Sequence, residues 1–520
     1  MIILGLGGLL GDAASALLKD GKLQAAAEES KIFRAVRPGN IPQGSVDECL
    51  RIAHVRKEQV DVVAVARPFT RGPESQLHLA LRTEFPNAEI AVFEHHRSHA
   101  ASAFFASPFE EATVLTLDNA GDFRCGGLWK GSGGQLRLER EWYYPDSLGR
   151  LFGAVTTLLG FRPHAEEHKV QWLSTFGDDR FVGLFKEIIS SSARLDPSFF
   201  DGNVTGEGVF GAKFYERVGL EPGATIPESM AASVAYGLQK AAEHTVIGLV
   251  GEGENLCLAG GLFLNALLVD ALERSGNYKN VFVQGASGNA GTAIGAALHA
   301  WYQRNPLGPR YGYSLLLGPS YNPDEIKQVL ENCKLRFKYV RSNDTLLHNA
   351  VSMLGERKII AWMQGRMEFG ARALGNRSIL ASPLDPYSTE NLNVFIKHRE
   401  PFRKFAASVP AEFASEYFDA GPNASQLATV GRVKAAHRKT FATAILGEDL
   451  VRVHTVSEEE NPLYHRLLHE AGKATGLPVL YNTSFNLFGD PLVSTPRDAV
   501  RSFYSSGIDA LFVGNFVLEK

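Results

Sequence analysis

Short apolar strands alternate with helical stretches through the first 300 residues, and this alternation restricts the fold to the α/β class. The apolar start, MIILGLGGLL at 1–10, has no basic segment and runs directly into Gly and Asp, so we expect a buried strand rather than a signal peptide. Pro and Gly accumulate at 306–323, and a new helical pattern, DEIKQVLENC, follows them. We therefore predict two domains, 1–320 and 321–520, each long enough to hold its own core.

An internal similarity occurs within the first domain. Residues 2–29 and 113–141 each predict three successive strands joined by tight turns, with an acidic loop after the first strand. Asp12 lies in the first of these loops, and Asp118 lies at the start of the second. A duplicated fold is expected to place two such acidic loops on opposite sides of one cleft. The alternative is that the two segments are similar by chance, because any two hairpins share some features.

Charge and cysteine content exclude several classes of function. The chain has 53 Lys and Arg against 57 Asp and Glu, a net charge of −4, which argues against nonspecific binding of nucleic acid or of an anionic membrane. It contains no apolar run of the roughly 18 residues that a membrane span needs. Its four cysteines are far apart and form no C-x-x-C pair, so we expect a cytoplasmic protein without a zinc ribbon or disulfide framework.

A histidine pair is the sharpest local signal in the first domain. If a helix begins near Glu94, His95 and His99 share one face at the spacing by which two imidazoles chelate a metal, whereas His96 points elsewhere. Asp118, at the end of a predicted strand, is positioned to complete a set of two histidines and one carboxylate, which suits iron or another mid-row divalent ion. Helix capping or ordinary packing is the alternative interpretation of the pair.

Glycine-rich turns follow two later strands of the first domain. Such turns present backbone N–H groups to a phosphate, and they are also ordinary strand-to-helix connections. The candidate nucleotide contacts at these turns are Gly260, Gly261, Asn265 and Gly288.

Basic loops distinguish the second domain. The segment 365–383 carries three arginines and one carboxylate, and 395–409 adds further cations, which together indicate an anion site because guanidinium groups match phosphate oxygens. A solvated basic face is the alternative. The residues concerned are Arg366, Arg372, Arg377, Lys397, Arg399 and Arg403, with Asn482 and Ser484 following a predicted strand. The polar stretch 419–438 predicts a mobile loop or lid.

Six motifs in order over nearly the whole chain resemble the NodU-type O-carbamoyltransferase family, the carbamoyltransferases of nodulation factors and antibiotics. The motifs are HHRSHAASAFFASPFEEATVLTLD, NLCLAGGLFLNA, GNAGTAIGAAL, GRMEFGARALGNRSILASP, KHREPFRKFAASV and GLPVLYNTSFNLFGDPLVSTPRDAV. The resemblance implies an actin-like ATPase fold, a duplicated ribonuclease-H-like unit, for the first domain. For the second domain it implies an α+β YrdC-like fold.

The resemblance also implies a two-step reaction. Carbamoyl phosphate and ATP would give a carbamoyl-adenylate in the second domain, and a hydroxyl of a specialised metabolite, such as an antibiotic, would then accept the carbamoyl group in the first. The implied catalytic residues are Asp12, Arg372 and Lys397. Contacts to carbamoyl phosphate and adenylate would come from Arg372, Lys397, Arg403, Arg452, Asn482 and Ser484. The implied metal, Fe²⁺, would be bound by His95, His99, Asp118 and Asn289. Mg²⁺ would accompany ATP, and the protein would act as a monomer or homodimer.

The chain departs from the family pattern mainly in the first domain. Asn289 stands where an Asp is usual, Gly11 rather than His precedes Asp12, and Trp172 replaces a usual Gly. Ser229 replaces an Asp, and Ala371 and Lys404 replace prolines. Two explanations compete: an unusual acceptor, or a nucleotide-binding or regulatory protein with an impaired transfer site. Transfer of a threonylcarbamoyl group to tRNA is a further alternative, which the net charge of −4 disfavours.

Overall fold

The structure is a computed structural model that describes residues 1–34, 39–67, 74–201, 209–487 and 489–520. It is a mixed α/β protein, as the alternation of strands and helices predicts. The strands are β1 Ile2–Gly7, β2 Ala14–Lys19, β3 Lys22–Glu28, β4 Val62–Ala66, β5 Glu89–Phe93, β6 Glu111–Gly121, β7 Arg124–Ser132, β8 Gln135–Tyr143, β9 Phe200–Asp201, β10 Val209–Phe210, β11 Gly253–Ala259, β12 Tyr278–Val283, β13 Lys338–Tyr339, β14 Ile360–Met363, β15 Arg377–Ala381, β16 Ala406–Pro410, β17 Phe418–Ala420, β18 Gly431–Val433, β19 Leu450–Val456, β20 Leu480–Ser484, β21 Ala510–Val513 and β22 Phe516–Glu519.

Helices connect most of these strands. They are α1 Glu29–Phe33, α2 Gln43–Ala53, α3 Glu74–Glu84, α4 His95–Phe104, α5 Leu148–Leu158, α6 Glu167–Ser174, α7 Val182–Ile188, α8 Ala212–Val218, α9 Glu228–Val250, α10 Ala266–Arg274, α11 Gly291–Arg304, α12 Pro323–Asn332, α13 Asn343–Gly355, α14 Pro386–Asn391, α15 Ala414–Tyr417, α16 Pro462–Thr475 and α17 Pro496–Tyr504. Among the described residues, no helix is both long and apolar enough to cross a membrane.

Two sheets in the N-terminal part share one topology. The first has the order β3-β2-β1-β4-β5, with β1 to β3 antiparallel and β4 and β5 parallel to β1. The second repeats this order and these directions as β8-β7-β6-β11-β12. The match extends beyond the two hairpins, so the internal similarity of 2–29 and 113–141 reflects a duplicated unit.

Helix α11 packs tightly between the first sheet and α4. A Cβ on Gly5 of β1 would lie 2.0 Å from the carbonyl oxygen of Ala293, and a Cβ on Gly295 would lie 1.8 Å from that of Ser98. Both glycines are therefore required for the close approach of these backbones. This packing fixes the N-terminal end of α11 beside the helix that carries the histidine pair.

The C-terminal part forms one mixed sheet of ten strands in the order β13-β22-β21-β14-β15-β20-β16-β19-β18-β17. Its central strands are buried on both faces, and polar residues such as Arg377 and Asn482 lie among their apolar ones. Arg452 of β19 pairs with Ala406 of β16, which pairs with Asn482 of β20. Three neighbouring strands thus bring residues that are far apart in the sequence to one level of the sheet.

The segment 419–438 is a docked connection rather than a mobile loop or lid. Asn423 is buried and donates hydrogen bonds to Glu273 and to the carbonyl oxygen of Val281, at 2.7 and 2.8 Å. Arg432 forms a two-pronged contact with Asp270, at 3.0 and 3.1 Å. The prediction was wrong because its polar side chains find partners on α10 and β12 instead of solvent.

His454 is a core histidine of the C-terminal sheet whose ring is buried and lies 3.0 Å from the Ser408 hydroxyl. Burial lowers the pKa of His454 to about 3. The stability due to its neutral form is present above the ordinary pKa of 6.5 and is lost as the pH falls towards 3. We expect His454→Gln to remove this dependence. In urea unfolding below pH 6, the free energy of unfolding of wild type should therefore fall by about 1.4 kcal/mol per pH unit more than that of the variant. Parallel pH profiles for the two proteins would contradict this expectation.

Candidate functional site

The predicted histidine pair and its carboxylate converge in the structure. Glu94 caps α4 by accepting hydrogen bonds from the backbone N–H groups of His96 and Arg97, which starts the helix where the sequence predicts. The Nε2 atoms of His95 and His99 lie 3.0 and 3.3 Å from Oδ2 of Asp118. Ligands of a tetrahedral ion with bonds of 2.0–2.1 Å are about 3.3 Å apart, so this spacing suits a metal.

The charge distribution of this group also suits a cation. Burial alone raises the pKa of Asp118, but hydrogen bonds from both histidines hold it well below its usual value. Burial lowers the pKa of His99, so a neutral ring faces an ionised carboxylate. His96 points away, as predicted, with its ring nitrogens 3.0 Å from the Thr116 hydroxyl and from the carbonyl oxygen of Arg124.

Asn289 lies just before α11, whose first residues pack against Gly7 of β1. Its Oδ1 atom is buried and has no hydrogen-bond partner among the described residues, and the same is true of Nδ1 of His99. Buried polar atoms without partners are rare unless a ligand or water satisfies them. The neutral oxygen of Asn289 is therefore able to accept a contact from a ligand, and its role as a further metal ligand stays a prediction.

Asp12 brings the loop of the first repeat to the same place. Burial raises the pKa of Asp12, and the nearby carboxylates of Glu28 and Asp118 raise it further. No atom lies within 4 Å of the Cβ position of Gly11, so the His that the family usually has there would find open space. Ser229 is exposed in the first turn of α9.

The glycine-rich turns serve close backbone packing around Asp118. Gly260 has φ 104°, and a Cβ there would lie 2.1 Å from the carbonyl oxygen of Leu117. A Cβ on Gly261 would lie 2.9 Å from Oδ1 of Asp118. Asn265 caps α10 and exchanges hydrogen bonds with Gln239, so its amide is engaged within the protein. Nucleotide contacts by Gly260, Gly261, Asn265 and Gly288 stay predictions.

Four arginines gather in the C-terminal part, and we call Arg372, Arg399, Arg403 and Arg452 the arginine cluster. Burial lowers the pKa of Arg452 well below its usual value, and the other three members of the cluster lower it further by repulsion. Burial likewise lowers the pKa of Arg399 to about 9 and that of Arg372 to about 10. Four guanidinium groups therefore lie close together and poorly hydrated.

Few protein groups compensate this charge. Arg372 donates to the carbonyl oxygen of Leu264 at 2.8 Å, and Arg399 donates to the Thr483 hydroxyl at 3.1 Å. Arg403 lies 3.7 Å from Glu400, whose carboxylate is 2.5 Å from Lys169. Arg452 has no hydrogen bond or ion pair in the part of the chain that the structure describes. Four partly buried cations with so few acidic partners form an arrangement that favours binding of an anion.

Trp172 lies directly against this cluster. The Arg452 guanidinium carbon is 5.2 Å from the centre of the Trp172 ring, within the range of a cation–π contact. The ring itself is buried with Leu267, Val430 and Leu450. The Trp that departs from the family pattern therefore packs its ring against an arginine of the cluster.

Arg366 and Arg377 do not belong to the anion site. Arg366 donates to the carbonyl oxygens of Gln24 and Leu317, which ties the C-terminal part to the first sheet. Arg377 is fully buried and donates to the carbonyl oxygens of Gln364, Gly365, Asn376 and Pro319. The sequence interpretation of three anion-binding arginines in 365–383 was wrong for these two, because backbone carbonyls compensate them.

Lys397 lies beside the cluster and organises the loop after β20. Its Nζ donates to the carbonyl oxygens of Ser484 and Asn486, at 2.8 and 2.9 Å, and to Oδ1 of Asn486 at 2.8 Å. Burial, with repulsion by Arg399 and Arg403, holds the pKa of Lys397 well below its usual value. Asn482 donates to the carbonyl oxygen of Ala373 at 3.1 Å, and its buried Oδ1 has no partner among the described residues.

His168 is a member of this site that the sequence analysis did not single out. It lies on α6, in the N-terminal part, and its buried Nε2 atom has no partner among the described residues. Burial lowers the pKa of His168 to about 3, and Arg403, Arg372 and Arg399 contribute by repulsion. It is therefore a neutral group surrounded by cations. No local pattern indicated this, because the arginines come from the other half of the chain.

A single turn links the histidine–aspartate group to the arginine cluster. The short 3₁₀ helix Gly261–Leu264 contacts Asp118 at its first residue and accepts the Arg372 hydrogen bond at its last. At about 2 Å of rise per residue, the two ends of this turn are separated by roughly 6 Å of backbone. The two groups are therefore neighbours rather than remote sites.

Known proteins resemble the chain along most of its length. A family model described as Carbamoyltransferase N-terminus matches residues 75–298, and one described as Carbamoyltransferase C-terminus matches residues 351–520. A Synechocystis protein, sll1178, is 33% identical over 100% of this chain and 96% of its own. Nodulation protein NolNO of Sinorhizobium fredii is 31% identical over 98% of this chain and 79% of its own. The 3'-hydroxymethylcephem-O-carbamoyltransferase of Amycolatopsis lactamdurans is 30% identical over 51% of this chain and 48% of its own.

Proposed function

The chain belongs to the carbamoyltransferase family, and we propose that it is an ATP-dependent O-carbamoyltransferase that activates carbamoyl phosphate at the arginine cluster. The observation that carries the proposal is the grouping of four partly buried arginines with a single shared carboxylate. Carbamoyl phosphate and ATP are both anions, so their encounter requires this concentration of positive charge. The acceptor is a hydroxyl of a small specialised metabolite, consistent with the cephem carbamoyltransferase among the relatives.

In the first step, water cleaves carbamoyl phosphate to carbamate and phosphate. A carbamate oxygen then attacks the α-phosphorus of ATP, and pyrophosphate leaves with the electron pair of the broken P–O bond, which gives carbamoyl-adenylate. Arg452, Arg403 and Arg372 bind the phosphate oxygens, and the unpartnered Asn482 Oδ1 accepts a hydrogen bond from the carbamoyl NH₂ group. Lys397 keeps Ser484 and Asn486 in position.

In the second step, the acceptor hydroxyl attacks the carbonyl carbon of carbamoyl-adenylate, and AMP leaves. Asp12, whose pKa is raised, is placed to take the hydroxyl proton. A divalent ion, Fe²⁺ by the family resemblance, would be held by His95, His99, Asp118 and Asn289. Such an ion supplies Lewis-acid polarisation of a carbonyl oxygen. The short 3₁₀ turn between the two groups favours a brief passage of the labile intermediate, since the turn separates them by only a few residues.

Several finer features remain parts of this proposal. The duplicated N-terminal unit, with its two facing acidic loops, is the topology expected of an actin-like ATPase fold, and we assign it to 1–320. We assign 321–520 as a YrdC-like adenylate-forming domain. Mg²⁺ accompanies ATP, and the enzyme acts in the cytoplasm as a monomer or homodimer without nucleic acid or membrane partners.

The direct test supplies purified protein with ATP and carbamoyl phosphate. We expect AMP and pyrophosphate to form only when both compounds are present. A protein that binds ATP but releases neither product would instead be the diverged regulatory homologue. The convergence of His95, His99 and Asp118, together with the unpartnered Asn289 Oδ1, argues against decay of the transfer site.

A further prediction concerns His168. Its neutral Nε2 is expected to hydrogen-bond a ligand held by the cluster, so His168→Ala should lower kcat/KM for pyrophosphate release roughly ten- to hundredfold. His168→Gln, which restores a hydrogen-bonding group, should recover part of this loss. His244→Ala, an exposed histidine on α9, is the matched control. An unchanged kcat/KM for His168→Ala would show that the ring is only packed there.

A further inference from the structure

A second group of potential metal ligands lies in the C-terminal part, away from the site described above. His465 and His469 are four residues apart on α16, and both Nε2 atoms approach Oε1 of Glu412, at 2.9 and 2.7 Å. We call Glu412, His465 and His469 the distal triad. Their ligand atoms all lie within 4.8 Å of one another.

The triad is held by rigid elements. Pro462 and the side-chain cap of Asn461 start α16, one turn before His465, which is buried. Glu412 lies in the short turn that follows β16, and the Phe413 ring packs 5.3 Å from the His469 ring. The three ligands therefore need no long side-chain rearrangement to meet one ion. His469 and Glu412 are partly exposed, which leaves room for water as a fourth ligand.

The chemistry of these groups selects the ion. We propose that the distal triad is a second transition-metal site that binds Zn²⁺. Two imidazoles and one carboxylate suit Zn²⁺, and the observed 2.7 to 3.2 Å between ligand atoms needs only a slight expansion to the roughly 3.3 Å edge of a tetrahedral site. In the part of the chain that the structure describes, Glu412 has ion pairs with these two histidines and with no Lys or Arg.

The position of the triad indicates what the ion does. Glu412 follows β16 at the end opposite to Ala406, which pairs with Arg452, so about 13 Å of strand and the start of a short turn separate the triad from the arginine cluster. Helix α16 leads into β20, which pairs with β16 and carries Asn482. Bound Zn²⁺ therefore joins the segment that leaves β16 to the helix that leads into the neighbouring strand β20, and it stabilises the sheet without touching substrate.

Metal analysis of single variants tests the site in the full-length protein. In equilibrium dialysis, we expect His469→Ala and Glu412→Gln each to bind one equivalent of Zn²⁺ fewer than wild type. The affinity of the triad for Zn²⁺ should fall at least about 10- to 100-fold, because loss of even a supporting contact has an effect of this size. His348→Ala, an exposed histidine on α13, should lose none. His99→Ala should instead lose the metal ion bound at the histidine–aspartate group. The double variant His99→Ala/His469→Ala should therefore lose both metal ions.

A spectroscopic readout separates metal binding from a simple ion pair. Co²⁺ added to wild type should give visible d–d absorption with a component that disappears in His469→Gln, a milder substitution on the helix surface. If His469→Ala and His469→Gln both keep the wild-type Zn²⁺ stoichiometry and Co²⁺ spectrum, the triad is a set of hydrogen bonds only and the proposal fails. This result would leave carbamoyl activation at the arginine cluster untouched.

Discussion

Arg452→Met is expected to lower carbamoyl-phosphate-dependent release of pyrophosphate from ATP by about 10³-fold or more without destabilising the ligand-free protein. The Arg452 guanidinium has no hydrogen bond or ion pair among the described residues, and three other arginines repel it. Removing it therefore relieves repulsion in the empty site, while the bound anions lose a partner. Met retains a side chain of similar length over the Trp172 ring.

Thermal unfolding with and without phosphate checks both halves of this expectation. Phosphate should raise the Tm of wild type because it binds the folded state only, and it should raise that of Arg452→Met much less. Arg466→Ala removes an exposed arginine that pairs with Asp344, and it should behave as wild type in both assays. A lower Tm of ligand-free Arg452→Met, or wild-type turnover, would show that Arg452 is a structural arginine like Arg377.

Asp118→Asn is expected to separate the two steps of the reaction. The substitution removes the charge on which both His95 and His99 converge, so metal affinity should fall at least about 100-fold. Carbamoyl transfer to the acceptor should fall by a similar factor. The first turnover of pyrophosphate release should continue, because Asp118 contributes no contact to the arginine cluster.

Single-turnover assays with metal analysis distinguish this outcome from general damage. His99→Ala should reproduce the loss of metal and of transfer, and the exposed His244→Ala should change neither. Equal loss of pyrophosphate release and transfer in Asp118→Asn would contradict the assignment of separate groups to the two steps. If Asp118→Asn and His99→Ala both keep a full equivalent of metal, the assignment of these residues as metal ligands is contradicted.

Local periodicity was enough to predict some of these features from the sequence. The four-residue spacing of His95 and His99 fixes their common face once a helix begins at Glu94, and the apolar run before Asp118 predicts the strand β6, although this strand continues past Asp118 to Gly121 instead of ending there. The repeated three-strand pattern of 2–29 and 113–141 was likewise visible, and the shared sheet order confirms it. These predictions succeeded because each depends on neighbours within one element or hairpin.

Features that depend on distant partners could not be predicted in this way. Arg366, Arg372 and Arg377 look equivalent in the sequence, yet two of them are compensated by backbone carbonyls and only Arg372 joins the cluster. His168 meets the arginines across the two halves of the chain. The segment 419–438 is polar because it docks against α10 through Asp270 and Glu273, which no local pattern reveals.

Isotope exchange between pyrophosphate and ATP, in the absence of any acceptor, tests the activation of carbamoyl phosphate at the arginine cluster most directly. Formation of carbamoyl-adenylate is reversible, so labelled pyrophosphate should enter ATP in the presence of carbamoyl phosphate, and this exchange should disappear in Arg452→Met. Exchange that proceeds without carbamoyl phosphate, or no exchange in wild type under conditions where both compounds bind, would contradict the proposed chemistry.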